Sequence, residues 1–226
     1  MVLLLNLFSL FTVRTMSFFT ILEVGMLKTN CYIFADRNIC IVIDPGAADK
    51  RIFEKIKSLS PNPEVSILLT HGHADHFMGV DFLLRQFPGT NVYISEDDKP
   101  YLSDSNKNCA KLFGLDIILN DQRTLKIIHD KDSLHFGKYT IDVISTPGHT
   151  PGGVIYVLRD LKTIFSGDTL FQNGRGRTDF VGGNAKTLND SIVNKIFPLP
   201  KDFKVYPGHG SSTTVGEEAR YQQHYY

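Results

Sequence analysis

The chain is expected to be an α+β protein built as two mixed β-sheets with helices on the outside. Apolar runs rich in β-branched and aromatic residues recur along it, punctuated by Gly, Pro, Asn and Asp. Each half opens with strands and then alternates helix with strand, so each sheet has one face for the core and one for a helix. No short-period repeat or low-complexity linker interrupts the pattern.

Taken in order, Phe18–Val24, residues 31–35 and Ile39–Ile43 read as three strands. Residues 28–30 and 36–38 are the turns between them, and Asp44-Pro45-Gly46 closes the third. Ile52, Ile56 and Leu59 recur at helical spacing, and Pro61 and Pro63 end that helix. Residues 65–69 form a buried strand, 77–87 a helix stopped by Pro88-Gly89, and 92–94 a further strand, while 96–119 reads as short helices. The second half is expected to start with Leu125–Ile128 and to continue through Tyr139–Ser145, Val154–Leu158 and residues 163–165. A helix over 185–196 takes Asn184 as its N-cap. Strand 203–206 then leads to a polar helix over 216–223.

The N-terminus stands apart. Residues 2–11 are apolar except Asn6 and Ser9, yet the run falls short of the ~20 residues that span a bilayer. Its only charge is Arg14, so the basic start of a secretory signal is missing. Residues 1–16 are therefore read as an extension and residues 17–226 as a single domain. The expected location is the cytoplasm, or an organelle should residues 1–15 act as a targeting peptide.

Composition narrows the class. The 226 residues carry 24 Lys and Arg against 24 Asp and Glu, a balance that offers no electrostatic footprint for nucleic acid or an anionic membrane. Cys31, Cys40 and Cys109 form no C-x-x-C pair, which excludes a disulfide framework and a thiolate zinc finger. The expected partner is a small molecule, and the chain is read as a monomer or homodimer.

Four strand ends share one property. Residues 65–69 run into Thr70-His71-Gly72-His73-Ala74-Asp75-His76, and Tyr139–Ser145 into Thr146-Pro147-Gly148-His149. Residues 163–165 run into Ser166-Gly167-Asp168-Thr169, and residues 203–206 into Pro207-Gly208-His209-Gly210. A single His beside Gly is ordinarily a turn residue, but His-x-His-x-Asp-His would be costly to desolvate in a metal-free core. Neutral imidazole and carboxylate suit zinc, iron or manganese. Five His and two Asp are too many for one tetrahedral ion and about right for two ions sharing a carboxylate. His129, His135 and His224 lack this context and read as surface residues.

Residues 70–76 resemble the T-H-x-H-x-D-H signature of the metallo-β-lactamase superfamily, and the three later segments match its remaining motifs in order. The resemblance runs from about Phe18 onward and implies a four-layer αβ/βα sandwich with the metal site at one edge of the sheets. It implies that His71, His73 and His149 hold one divalent metal, that Asp75, His76 and His209 hold a second, and that Asp168 bridges both. Zinc is the expected metal, with iron or manganese as alternatives. Asp44 matches an acidic position that supports the ligand loop.

Within the superfamily the chain is similar to the short glyoxalase II-like hydrolases. Cleavage of a small thioester is implied, such as S-lactoylglutathione or a related 2-hydroxyacyl thioester, by a metal-bridging hydroxide that Asp75 and Asp168 orient. Only sixteen residues follow Gly210, whereas full-length glyoxalase II carries a helical region there that holds glutathione. The run Gly174-Arg175-Gly176-Arg177-Thr178-Asp179-Phe180 resembles short members of the group and also persulfide dioxygenases, which use one iron. A mononuclear iron dioxygenase is therefore the alternative activity. Arg175 and Arg177 are candidates to bind a substrate carboxylate, set against a purely structural pairing with Asp179. Phe171, Phe180 and Tyr206 are candidates for pocket walls, set against ordinary core packing.

Overall fold

The structure is a computed structural model that describes residues 18–225, with side chains described from Thr20 to Gln222. The expected extension, residues 1–16, and the side chain of His224 lie outside the described residues.

The first sheet contains β1 (Phe18–Val24), β2 (Thr29–Asp36), β3 (Ile39–Ile43), β4 (Glu64–Leu68), β5 (Asn91–Ser95) and β6 (Leu125–Ile128), in that spatial order. β1 to β3 run antiparallel, and β3 to β6 run parallel. The second sheet contains β7 (Ser133–Phe136), β8 (Tyr139–Ser145), β9 (Val154–Leu158), β10 (Thr163–Gly167), β13 (Lys204–Pro207) and β14 (Thr213–Thr214). Its order is β14-β13-β10-β9-β8-β7, with β10 and β13 parallel. A two-stranded ribbon, β11 (Leu170–Phe171) with β12 (Gly174–Arg175), stands beside it.

Side-chain alternation along the strands separates three apolar layers. Tyr32 and Phe34 of β2 and Ile41 and Ile43 of β3 meet Val143, Tyr156 and Phe165 of the second sheet. The opposite face of the first sheet, with Ile33, Val42, Ile67 and Val92, is covered by α1 (Lys50–Leu59), α2 (Ala74–Phe77) and α3 (Val80–Gln86). On the far side Ile155, Val157, Ile164 and Val205 pack on Leu188, Ile192 and Ile196. The result is the four-layer αβ/βα sandwich.

Several elements differ from the sequence reading. The helix expected over 77–87 begins at Ala74 and breaks at Gly79, whose amide donates to Pro45 O at 2.7 Å. A Cβ at Gly79 would lie against the backbone of Pro45 and Ala47, so the break lets that loop pass. Residues 28–30 are not all turn: Thr29 and Asn30 open β2 and are buried, because their side chains tie to groups far along the chain. β6 does not start a second half but closes the first sheet, paired parallel to β5. β7 was missed, although Leu134 and Phe136 alternate with Ser133 and His135 as a half-buried strand requires. Residues 96–119, by contrast, do contain the short helices expected of them, the 3₁₀ segments Lys99–Ser103 and Ala110–Phe113.

Asn184 is the N-cap of α4 (Ala185–Ser191), accepting from the Thr187 amide at 2.9 Å. Residues Ile192–Ile196 continue that helix as a wider π turn. The final helix, α5, spans Val215–Tyr225.

The C-terminal ends of β3, β4, β8, β10 and β13 meet at one edge of the two sheets. Placed there are Asp44, the segment 70–76, His149, Asp168 and His209.

Candidate metal centre

β4 delivers Thr70 to a tight turn that projects His71 and His73, and α2, with His73 as its N-cap, carries Asp75 and His76. The turn needs Gly72, because a Cβ there would meet Tyr101 Cβ at 2.5 Å. β8, β10 and β13 bring His149, Asp168 and His209 from the facing sheet. Close approach is again bought by glycine: a Cβ on Gly208 would sit on Asp168 Oδ1.

The donor atoms form two groups. His71 Nε2 lies 3.1 Å and His149 Nε2 2.9 Å from His73 Nδ1. Asp75, His76 and His209 form the other group: His209 Nε2 is 3.2 Å and His76 Nε2 3.6 Å from Asp75 Oδ2. Asp168 touches both, with Oδ2 3.5 Å from His149 Nε2 and 3.6 Å from His209 Nε2, and Oδ1 3.4 Å from His76 Nε2. All seven residues singled out in the sequence therefore come together.

The far nitrogen of four imidazoles is held by an acceptor, which leaves the near one as a bare lone pair. His149 Nδ1 donates to Arg177 O at 2.7 Å, and His209 Nδ1 to Leu27 O at 3.0 Å. His76 Nδ1 donates to Asp44 Oδ2 at 2.9 Å. His71 Nδ1 faces Thr70 Oγ1 at 3.0 Å, whose own hydrogen goes to Asp44 Oδ2 at 2.7 Å. Lone pairs and carboxylate oxygens thus converge, and buried His76 Nε2 and Asp168 Oδ1 have no hydrogen-bond partner. Such orphaned buried atoms are costly, and a cation between His76 Nε2 and Asp168 Oδ1 satisfies both, whereas His73 Nε2, also buried without a partner, is not the nitrogen that faces His71 and His149. The donor set fits divalent metal.

Electrostatics agree. Burial, then repulsion by His76 and His73, holds His71 well below the usual imidazole range. Burial, reinforced by His149, pushes His73 down to about 3, so both rings are neutral ligands at pH 7. Burial opposes ionisation of Asp75 and Asp168, yet His76 together with His209 at Asp75, and together with His149 and His71 at Asp168, outweighs it and both carboxyls are lowered. For His76 burial again opposes charge, but Asp75, Asp168 and Asp44 raise it well above the ordinary value. Without metal, a proton takes the place of a cation there.

Asp44 lies directly behind the ligand loop: besides His76 Nδ1 and Thr70 Oγ1 it accepts from the Thr70 amide at 2.8 Å. It adopts φ +50°, an uncommon backbone region for a residue with a Cβ. Sequence reasoning missed Asp98. Its buried carboxylate accepts from Gly72 N at 2.9 Å, Thr150 Oγ1 at 2.7 Å and Gly152 N at 2.7 Å. Asp98 thereby clamps the His71–His73 turn to the His149 loop, and nothing in the irregular stretch around it signals this. Thr29 and Asn30 were missed as well. Thr29 Oγ1 donates to Asp75 Oδ2 at 3.1 Å, and Asn30 Nδ2 donates to Pro207 O and Gly210 O on either side of His209.

The candidate substrate contacts separate. Arg177 pairs with Asp179 at 2.6 Å and stacks 4.4 Å over the Phe180 ring, the structural pairing set against its binding role. Arg175 donates to Asn189 Oδ1 of α4 at 3.0 Å. Phe180 walls the centre, 5.7 Å from His73, and Phe171 lies 6.3 Å from His209. Tyr206 is core, stacked on Phe165. His129 and His135 are exposed.

A family model described as the metallo-beta-lactamase superfamily matches residues 24–209, which include every donor. The chain belongs to the metallo-beta-lactamase superfamily. It is 37% identical over 204 residues to hydroxyacylglutathione hydrolase GloC of Haemophilus influenzae, covering 88% of this chain and 94% of that one. It is also 39% identical over 154 residues to the mitochondrial persulfide dioxygenase ETHE1 of Homo sapiens, but covers 67% of this chain and 52% of that one. Among solved structures it is similar to the BLEG-1 B3 metallo-beta-lactamase, with TM-score 0.83, 34% identity, and 90% and 97% of the two chains covered. The di-iron-bound form of TTHA1623 gives TM-score 0.75 at 30% identity, covering 89% and 97%. Superfamily members bind divalent metals, and this member carries the His/Asp cluster to do so. Among the described residues no helix is long and apolar enough to cross a membrane.

Proposed function

We propose that the chain is a dinuclear metallohydrolase that cleaves a small acyl thioester, with 2-hydroxyacyl thioesters such as S-lactoylglutathione the first candidates. The observation that supports this best is the pair of donor groups spanned by Asp168, since a mononuclear centre leaves Asp75, His76 and His209 without employment. His71, His73 and His149 would hold one ion, Asp75, His76 and His209 the other, and Asp168 both, with zinc the expected metal. Bound divalent ions supply Lewis acidity, polarising a carbonyl and lowering the pKa of water to ~7.

The chain's residues do the rest. Asp75 and Asp168 are ionised and orient the attacking water. Asp44 and Asp98 hold the ligand loops in place, so the donors need not reorganise during the reaction. Phe180 shields the His73 side from solvent. The leaving thiolate, with a parent pKa near ~8.5, departs without a dedicated acid.

The resemblance to ETHE1 supports a second reading, a mononuclear iron persulfide dioxygenase. Metal content of protein purified without chelators separates the two. Two equivalents per chain together with thioester hydrolysis are expected. One equivalent of iron and dioxygen uptake with a persulfide would replace the hydrolase reading. Asp168→Ala should lose metal and turnover together, and full thioesterase activity in that metal-free variant would sink the mechanism.

A further inference from the structure

An apolar cavity opens directly beside the metal centre. It measures about 220 Å³ and lies between the β1–β2 turn and the segment that follows Asn108. Its walls are Val24, Leu27, Met78, Phe113, Leu115 and Ile117, and Asp75 stands at one end. At the mouth, Met26 is 78% exposed, Phe113 51% and Leu115 40%, a cost in water that a covering apolar group removes.

The few polar groups in the lining are already engaged. Asn108 Nδ2 donates to Tyr101 O and Ile117 O, and its Oδ1 accepts from the Ala110 amide. Thr29 Oγ1 donates to Asp75 Oδ2. A guest therefore meets only apolar surface until it reaches Asp75. The same turn that supplies Leu27 to the wall also orients the centre, because Leu27 O accepts from His209 Nδ1 at 3.0 Å.

We infer that this cavity is the acyl-group subsite, and that the favoured substrate carries an apolar acyl group about the size of a phenyl ring in place of the smaller lactoyl group of the first candidate. The inference rests on the thioester hydrolase reading. A cavity of about 150 Å³ takes up benzene, so this one admits a phenyl group or a chain of about six carbons. The thiol half of a peptidic thioester does not fit, since its carboxylates would be buried beside the ionised Asp75 with no free donor to receive them.

The test uses the metal-loaded protein and thioesters of one thiol, N-acetylcysteamine, bearing acetyl, lactoyl, butanoyl, hexanoyl, phenylacetyl and dodecanoyl groups. Each buried methylene is worth about fourfold. kcat/KM should rise at least tenfold from acetyl to hexanoyl or phenylacetyl and fall again at dodecanoyl. Leu115→Trp, which fills the cavity from its rim, should lower the hexanoyl-to-acetyl ratio at least fivefold. A readout independent of turnover is alkylation of Cys109, which lines the cavity, by iodoacetamide at pH 9. Phenylacetamide should slow it at least threefold. Hydrolysis indifferent to chain length, with Cys109 unprotected, would overturn the subsite while leaving the hydrolase reading intact. Protection of Cys109 with no thioester cleaved would keep the apolar site and overturn the hydrolase reading. Alkylation that slows with protein concentration and ignores phenylacetamide would assign the patch to a second copy of the chain and overturn the proposal.

Discussion

Removing the Asp98 carboxylate tests the idea that the metal centre is held from behind. In Asp98→Ala three buried donors, Gly72 N, Thr150 Oγ1 and Gly152 N, lose their acceptor together. Each such orphan costs about 1–3 kcal/mol, and the variant recovers part of the cost of burying a charge. The net loss should be about 3–5 kcal/mol of unfolding free energy. Asp98→Asn keeps one oxygen to accept from Gly72 and Thr150 but turns an amide towards the Gly152 N–H, so about 1–2 kcal/mol is expected. Because the freed loops carry His71, His73 and His149, metal affinity should fall about 10–100-fold in the Ala variant. Urea unfolding in chelator reads the first quantity, and competition against a chromogenic chelator reads the second. An Ala variant that loses less than about 1 kcal/mol, or binds metal as the parent does, would refute the clamp.

Three further outcomes are expected. Gly208→Ala should abolish metal uptake, measured as metal per chain, because its Cβ falls on Asp168 Oδ1 and 2.6 Å from His76 Cε1. Metal at a hundred times the Kd of each of the two proposed sites should stabilise the fold by about 5.4 kcal/mol, about 2.7 per site, and raise Tm by about 10–20 °C, read by thermal scanning of stripped and reloaded protein. Burial raises the Cys109 thiol to about 11 and the Cys40 thiol to about 12, so both are protonated at neutral pH. Alkylation of Cys109, followed by mass spectrometry, should therefore quicken about tenfold per pH unit between pH 8 and pH 10 and remain far slower at pH 7 than a free thiol.

The donors were legible because their types and places are unusual together. His71, His73, Asp75 and His76 fall within six residues, and His149, Asp168 and His209 each follow a strand and a glycine. Such a pattern has a local cause, since imidazoles and carboxylates at strand ends have little use in a metal-free core. Asp44 was legible only through the resemblance, at a position where the superfamily carries an acid behind the ligand loop. Asp98 was not: it lies in a stretch without periodicity, and its partners are 26, 52 and 54 residues away. Asn30 was misread because Asn in a turn is ordinary, while the groups that bury it belong to residues 207 and 210.

The strands and their apolar faces were set by the sequence itself, because alternation and helical spacing are local and each side chain's burial follows from its own chemistry. The same holds for the seven donors, whose identity alone names the chemistry of metal binding. Only the tertiary structure decided which sheet Leu125–Ile128 joins and that Arg177 is spent on Asp179 and Phe180. Tertiary structure also placed the Asp98 clamp and an apolar cavity against Asp75. These depend on contacts between residues far apart in the chain, and such contacts leave no periodic trace in the sequence that makes them.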